Sequence, residues 1–335
     1  MILKNNYSLL NYNSFKIDVK AKEFIEVNST DELKEICKIN NQKEILFLGG
    51  GSNILFTKDF QGLIIHLNLK GKTIEKIDSN HSIISAYAGE NWNKFVNYCL
   101  EKNLGGIENL SLIPGNVGSA PVQNIGAYGT ELKDVFVSCE VFNQKDCTVK
   151  EYNLDDCCFD YRNSIFKTKK HLIIISVKLK LTNKDHYINS SYGGINDELE
   201  RLGIKNPTIR DVSEAVINIR NRKLPDPKNI GNAGSFFKNP IVDLKKIEAI
   251  KKNFIDIPNF KVEENKFKIP AAWLIEKAGF KGKNFGKFGV HKSQSLVLVN
   301  YGNASGKDIY KLSLSIKEVV NRIFKINLET EVNII

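Results

Sequence analysis

Apolar and polar positions along the chain follow two periods, and the changes between them predict the element order. Ser29-Thr30-Asp31-Glu32 has the spacing of a capping box and opens a helix over residues 29–38. An apolar run at 44–48 reads as a strand that stops at Gly49-Gly50-Gly51, and 63–67 reads as the next strand. Residues 73–77 and 83–88 alternate as a hairpin. From Asn91 the period becomes helical: Trp92, Phe95, Val96, Cys99 and Leu100 fall at i, i+3, i+4, i+7 and i+8, a stripe that belongs in a core. Strands are predicted at 135–142, 148–153 and 172–181. A helix at 211–222 carries Val212, Ala215, Val216 and Ile219 on one face, and Leu224-Pro225-Asp226-Pro227 stops it, which marks a domain boundary. Helices at 244–252, 271–278 and 308–324 and strands at 295–300 and 328–335 complete the chain. With many hairpins, no repeat and no βαβ series, the class is α+β.

Two stretches depart from simple patterning. Residues 103–128 are rich in Gly, Pro, Asn and Ser, yet carry Leu110, Leu112, Ile113, Val117, Val122 and Ile125. So many apolar side chains do not suit a solvated linker, and a buried or ligand-covering loop is expected. In the last strand Leu328, Thr330, Val332 and Ile334 share one face, while Glu329, Glu331 and Asn333 share the other. Alternation by itself sends both glutamates to solvent.

Composition narrows the class of protein. The 335 residues, 42% hydrophobic and 26% charged, exclude disorder as the main state and leave room for two or three domains. The net charge of +10 fits a nucleic-acid binder, an enzyme of anionic substrates, or a lysine-rich surface. Because the lysines are scattered and no RNP, KH, zinc-finger or helix-turn-helix signature is present, no nucleic-acid partner is expected. Residues 1–13 lack the apolar core of a signal peptide and 172–177 is too short to span a bilayer, so a soluble cytoplasmic protein without a membrane partner is expected. The 6 cysteines show no C-x-x-C spacing and no His cluster, and no metal site is expected.

Four segments carry candidate chemistry. Glycine lets a main chain approach a diphosphate and aim its N–H groups at it. Leu48-Gly49-Gly50-Gly51-Ser52-Asn53 and the longer Ile113-Pro114-Gly115-Asn116-Val117-Gly118-Ser119-Ala120-Pro121-Val122-Gln123-Asn124-Ile125-Gly126-Ala127-Tyr128-Gly129 both qualify. Neither matches G-x-G-x-x-G or G-x-x-x-x-G-K-[ST], which disfavours a Rossmann site and a P-loop. Gly231-Asn232-Ala233-Gly234-Ser235-Phe236-Phe237-Lys238-Asn239-Pro240 places a hydroxyl among small residues. Asp160-Tyr161-Arg162-Asn163-Ser164 offers an arginine able to clamp a carboxylate or phosphate in two-pronged fashion.

Together these segments resemble the UDP-N-acetylenolpyruvoylglucosamine reductases, the MurB family of bacterial cell-wall synthesis. Tyr12-Asn13-Ser14-Phe15-Lys16-Ile17-Asp18, Lys223-Leu224-Pro225-Asp226-Pro227, Ala271-Ala272-Trp273-Leu274-Ile275-Glu276 and residues 328–332 extend the match nearly end to end. The resemblance implies a FAD-binding fold of the vanillyl-alcohol-oxidase (PCMH) type. Its expected parts are FAD subdomains at 1–70 and 71–222, a substrate domain at 223–325, and a C-terminal strand at 326–335 that returns Glu331 to the FAD unit. Non-covalent FAD would be held by Asn13, Phe15, Gly49, Gly50, Gly51, Ser52, Asn53, Pro114, Gly115, Val117, Gly118, Ser119, Gln123, Asn124, Gly126, Ala127 and Tyr128.

By the same resemblance, NADPH is the co-substrate, and the enolpyruvyl ether of UDP-N-acetylglucosamine is reduced to UDP-N-acetylmuramate. Arg162 and a protonated Glu331 would stabilise the enolate-like charge, Ser235 would deliver a proton to the α-carbon, and Tyr192, Lys223 and Asn239 would contact the substrate. Lys238 is a further cation expected near it. The resemblance thereby reverses the solvent-facing assignment of Glu331. Where the family often continues Glu-Val-Arg, this chain has Glu331-Val332-Asn333. A monomer is expected. A related flavin oxidase of a sugar or alcohol is the alternative, disfavoured because no His or Cys motif for covalent flavin attachment is present.

Overall fold

The computed structural model describes residues 1–39 and 44–335. The chain divides into two compact units, one of Met1–Tyr7, Ala21–Gly50 and Gln61–Arg222, the other of Ser8–Lys20, Gly51–Phe60 and Lys223–Ile335. The division at Arg222 falls at the end of the helix Ile209–Lys223, just before the two prolines that forbid its continuation. Residue 70 marks no division. Residues 8–20 and 51–60 join the second unit because their hydrogen bonds run to it: Asn232 N donates to Ser14 O (3.0 Å), Asn300 Nδ2 donates to Phe15 O (2.8 Å), and Asn333–Ile334 pairs in parallel with Ile54–Leu55. The closing segment thus meets part of the expected first subdomain inside the second unit.

The first unit contains a four-stranded sheet in the order Lys4–Ser8, Lys20–Val27, Phe60–Leu67, Ile45–Leu48. It also contains a five-stranded sheet in the order Thr148–Asn153, Phe136–Asn143, Leu172–Thr182, His81–Tyr87, Lys72–Lys76, antiparallel at every pairing. Leu172–Thr182 reads as an almost unbroken apolar run because both its faces are covered. Ile173 and Ile175 join the cluster around Leu33 and Ile36, whereas Leu172, Ile174 and Val177 join the one around Trp92, Phe95 and Val96. The predicted stripe of the helix Trp92–Glu101 is buried as its spacing requires, and Asn91 caps the helix by accepting from Lys94 N (3.1 Å).

Residues 103–128 form three single 3₁₀ turns, Glu108–Leu110, Val117–Ser119 and Pro121–Gln123, with Leu110 and Val117 fully buried. Trp92 Nε1 donates to Leu110 O (2.9 Å), which ties this segment to the helix before it. The loop is therefore part of the core.

In the second unit a three-stranded sheet orders Ile241–Asp243, Lys266–Lys268 and Phe260–Glu263, and a hairpin pairs Phe288–Val290 with Leu298–Asn300. The helix Gly306–Phe324 begins at a capping box between Ser305 and Asp308 and buries Ile309, Leu312, Ile316, Val320 and Phe324. Phe324, Trp273 and Phe254 meet at ring-centroid distances of 5.0–5.8 Å.

Candidate active site

The two glycine segments are brought together. In the first unit a Cβ placed on Gly50 would lie 3.0 Å from Asn116 Oδ1 and 3.1 Å from Gly115 Cα, so the two loops touch through backbone. In the second unit Gly51 has φ +60°, and a Cβ there would lie 2.0 Å from Tyr12 O, which no side chain can satisfy. Among the described residues nothing accepts from the N–H of Gly50, Gly51 or Gly115. Backbone donors left open on glycine turns are the arrangement that binds a diphosphate, and they fit FAD.

The turn bearing Arg162 is fastened to the second glycine segment at three points. Ser164 Oγ donates to Val122 O (2.6 Å), Asn124 Nδ2 donates to Asp160 O (3.3 Å), and Arg162 donates through Nη2 to Gly126 O (2.5 Å). Asn124 is fully buried at φ 44°, a backbone state asparagine tolerates, and its Oδ1 accepts from Lys133 N (3.0 Å). Arg162 also lies over the Tyr161 ring at 5.4 Å. Its guanidinium is thereby held in one orientation.

Tyr128 and Tyr192 also lie together in this unit. Gly193 has φ +71°, and a Cβ on it would be 2.6 Å from Tyr128 Cδ1, so the Tyr192 loop packs closely against the Tyr128 ring. Buried Asn109 donates from Nδ2 to Tyr128 O (2.9 Å) and Asn189 O (2.8 Å), joining the loop that carries Tyr192 to the glycine segment. Burial pushes the Tyr128 phenol pKa up, and the nearby charges of Arg220 and Arg222 act against that rise. Below the same loop, Glu198 of the helix Ile195–Arg201 is buried and accepts from both Arg201 and Arg222. Hydrogen bonds from the two guanidiniums hold its carboxyl well below the usual range.

The second unit carries Ser235 and Glu331 on adjoining backbone. Glu331 N donates to Phe236 O (2.9 Å), and Phe237 bridges Thr330. Glu331 is half-buried although Glu329, of the same parity, is exposed, and both precede the short closing strand Asn333–Ile334. Asn53 Nδ2 donates to Glu331 O (3.2 Å), and Asn333 donates to Asn53 O through both N (3.1 Å) and Nδ2 (3.0 Å). Asparagine at 333 thus has a defined task. The Ser235 hydroxyl makes no hydrogen bond among the described residues. Asn239 uses Oδ1 to accept from Ala271 N (2.9 Å), which leaves its Nδ2 for a ligand, and Lys223 is exposed.

Other expected contacts have tasks inside the fold. Asn13 donates to Leu9 O (2.8 Å) and Ile17 O (2.9 Å) and accepts from Ile17 N (2.9 Å). Phe15 is fully buried, 6.2 Å from the Phe236 ring, and Val117 is in the core. Lys238, expected near the substrate, pairs with Glu329 at 2.9 Å. Ser52 O accepts from Ser14 Oγ (3.2 Å), Gly118 N donates to Ala88 O (3.0 Å) and Ser119 Oγ donates to Asn116 O (2.7 Å). Conversely, Asn109 and Asn300 organise the site without having stood out in the sequence, where each is one asparagine among many.

These features define a FAD-binding protein, and residues 21–152 match the FAD binding domain model. Residues 226–335 match the model of the UDP-N-acetylenolpyruvoylglucosamine reductase C-terminal domain. The UDP-N-acetylenolpyruvoylglucosamine reductase of Flavobacterium johnsoniae is 53% identical over 337 residues, covering 100% of both chains. That of Pseudomonas aeruginosa is 42% identical over 335 residues, covering 99% of this chain and 98% of its own. The crystal structure of UDP-N-acetylenolpyruvylglucosamine reductase (MurB) from Thermus caldophilus superposes with a TM-score of 0.70 at 22% identity, covering 100% of this chain and 99% of the other. p-Cresol methylhydroxylase shares the fold more distantly, with a TM-score of 0.50 and 12% identity over 97% of this chain and 84% of its own. The chain belongs to the UDP-N-acetylenolpyruvoylglucosamine reductase family and is a FAD-dependent oxidoreductase of peptidoglycan synthesis acting on a small UDP-sugar. No helix among the described residues is long and apolar enough to cross a membrane.

Proposed function

We propose that the protein uses NADPH to reduce UDP-N-acetylglucosamine enolpyruvate to UDP-N-acetylmuramate, with Arg162, Ser235 and Glu331 as its catalytic residues. The observation that carries this reading is the pairing of Glu331 N with Phe236 O, beside a serine whose hydroxyl has no partner among the described residues. Bound FAD supplies the hydride that reaches the terminal carbon of the enolpyruvyl group. Gly49, Gly50, Gly51, Ser52, Asn53, Gly115 and the chain from Gly126 to Tyr128 would hold the cofactor.

Arg162, whose guanidinium is clamped on Gly126 O, binds the substrate carboxylate. As charge builds on the carbon next to that carboxylate, Arg162 and a protonated Glu331 stabilise it, and Ser235 Oγ gives its proton to that carbon. Asn239 Nδ2, Lys223 and the Tyr192 hydroxyl bind the phosphates. The enzyme acts as a cytoplasmic monomer, which sedimentation would check. An anaerobic experiment separates the two half-reactions: NADPH should bleach the flavin, and the enolpyruvyl substrate should restore its colour with formation of the lactyl ether. A protein reduced by NADPH but not reoxidised by that substrate overturns the reading.

A further inference from the structure

Outside the site described above, the second unit holds a cavity of about 120 Å³ between the helix Leu244–Lys251 and the end of the helix Gly306–Phe324. The first helix gives it Lys246, Ala249 and Ile250, at i, i+3 and i+4 of one helical stripe. The second gives it Ile323 and Phe324, followed by Lys325. Phe254 completes the wall, its ring 5.0 Å from that of Phe324. Ile250 and Phe324 are buried and make the floor, whereas Ile323 is 41% exposed.

The charge around this apolar floor is one-sided. Lys246 stands in the first turn of its helix, where the dipole favours an acid over a cation, and beyond the capping Asp243 that turn holds no acid. It is nevertheless half-buried against the cavity. Among the described residues neither Lys246 nor Lys325 forms an ion pair or a side-chain hydrogen bond, and no carboxylate lines the cavity. Lys245, Lys251 and Lys252 add to the positive potential, against Glu248 alone. Ligand pockets of cofactors and drug-sized molecules run to roughly 300–1,000 Å³, so this cavity suits one side-chain-sized apolar group. Ile255, the residue after Phe254, is 88% exposed, and apolar surface therefore continues past the edge, where a longer chain would lie.

We propose that this cavity docks an acidic segment of a partner protein, whose single apolar anchor enters between Ile250 and Ile323 while flanking carboxylates meet Lys246 and Lys325. None of these residues has a part in the chemistry given above, so turnover should be indifferent to the contact. The probe is an end-blocked pentapeptide, one phenylalanine between two pairs of aspartates, titrated into FAD-loaded holoenzyme at low salt and followed by calorimetry. Saturable binding is expected, and exchanging the phenylalanine of the peptide for alanine should weaken it at least tenfold. Ala249→Phe, which fills the cavity from an exposed helical position, should weaken it as much, as should Lys246→Glu combined with Lys325→Glu. Turnover of the UDP-sugar within twofold of the parent checks that the variants are folded, and the alanine peptide tests the anchor on the parent protein alone. Four results overturn the proposal: no saturation by the phenylalanine peptide; an alanine peptide that binds within twofold of it, which reduces the contact to charge; an Ala249→Phe enzyme that binds within twofold of the parent; or 3-phenylpropionate binding as tightly as the peptide, which makes the cavity a site for a small carboxylate.

Discussion

Residues 113–129 of the first unit and 328–335 of the second both carry proposed site residues outside long regular elements, and side chains add to their main-chain bonds to different degrees. The first has main-chain bonds such as Val117 N to Glu90 O and Gly118 N to Ala88 O, and adds a set of side chains fastened to main chain: Asn109 to Tyr128 O, Asn124 to Asp160 O, Ser164 to Val122 O and Arg162 to Gly126 O. The second is held chiefly by main chain to main chain, through Lys238 N to Glu329 O, Glu331 N to Phe236 O, Asn333 N to Asn53 O and Ile335 N to Leu55 O. Side-chain anchoring requires particular residues at particular places. Backbone anchoring tolerates a change of side chain, as at Asn333, whose main-chain N–H makes its own bond to Asn53 O.

Substitutions on the two sides should separate chemistry from scaffolding. The largest effect is expected at Ser235, whose hydroxyl holds no structural bond among the described residues. Ser235→Ala should slow reoxidation of reduced flavin by the enolpyruvyl substrate by about 10²–10⁴-fold while NADPH reduces the flavin at the parent rate and Tm is unchanged. Equal slowing of both half-reactions would remove the proton-donor role.

Asn124→Ala should come next. It strips a fully buried residue of its bonds to Glu131, Asp160 and Lys133, and it leaves alanine at a positive φ. A loss of about 1–3 kcal/mol is expected, read in denaturant melts, together with weaker FAD retention. Parent-like retention would mean that the glycine segment does not depend on this anchor.

The ion-pair cluster under the Tyr192 loop gives a smaller, pH-dependent effect. The Glu198 carboxyl is held below its ordinary value of 4.5, so its contribution is complete above that pH and declines as the pH falls below it. The parent Tm should therefore drop more steeply below pH 4.5 than that of Glu198→Gln. Parallel acid limbs would contradict the assignment. Smallest of all, Asn333→Ala removes one exposed side-chain bond while its main-chain pairing stays, and a change of about 0.5 kcal/mol is expected. A loss as large as that of Asn124→Ala would abolish the contrast between the two regions.

Much of this was legible in order along the chain. The stripe from Trp92 to Leu100, the strands on either side of Cys147, and the stop at Pro225 follow from periodicity and from proline chemistry, which are local. The buried character of residues 103–128 was also legible, since apolar residues in a glycine-rich loop must be covered by something. The signal that singled out Ser235 and Arg162 as candidates was the co-occurrence of whole motifs, because a loop serine or a turn arginine alone carries no distinguishing period.

The amino-acid sequence by itself determined the local elements, the glycine segments and the family, because each of these is written in neighbouring residues or in a motif. Only the tertiary structure decided which of the motif residues also have bonds and packing partners within the fold. Asn13 and Phe15, inside a matching motif, also bond and pack within the fold, while Asn109, in no glycine motif, fixes Tyr128 O. The same holds for Glu329 and Glu331, two residues apart and alike in pattern, of which one pairs with Lys238 in the open and the other is half-buried beside the Ser235 segment. Alternation assigns a face to a strand, but what covers that face comes from residues about a hundred positions away, and a linear pattern holds no record of them.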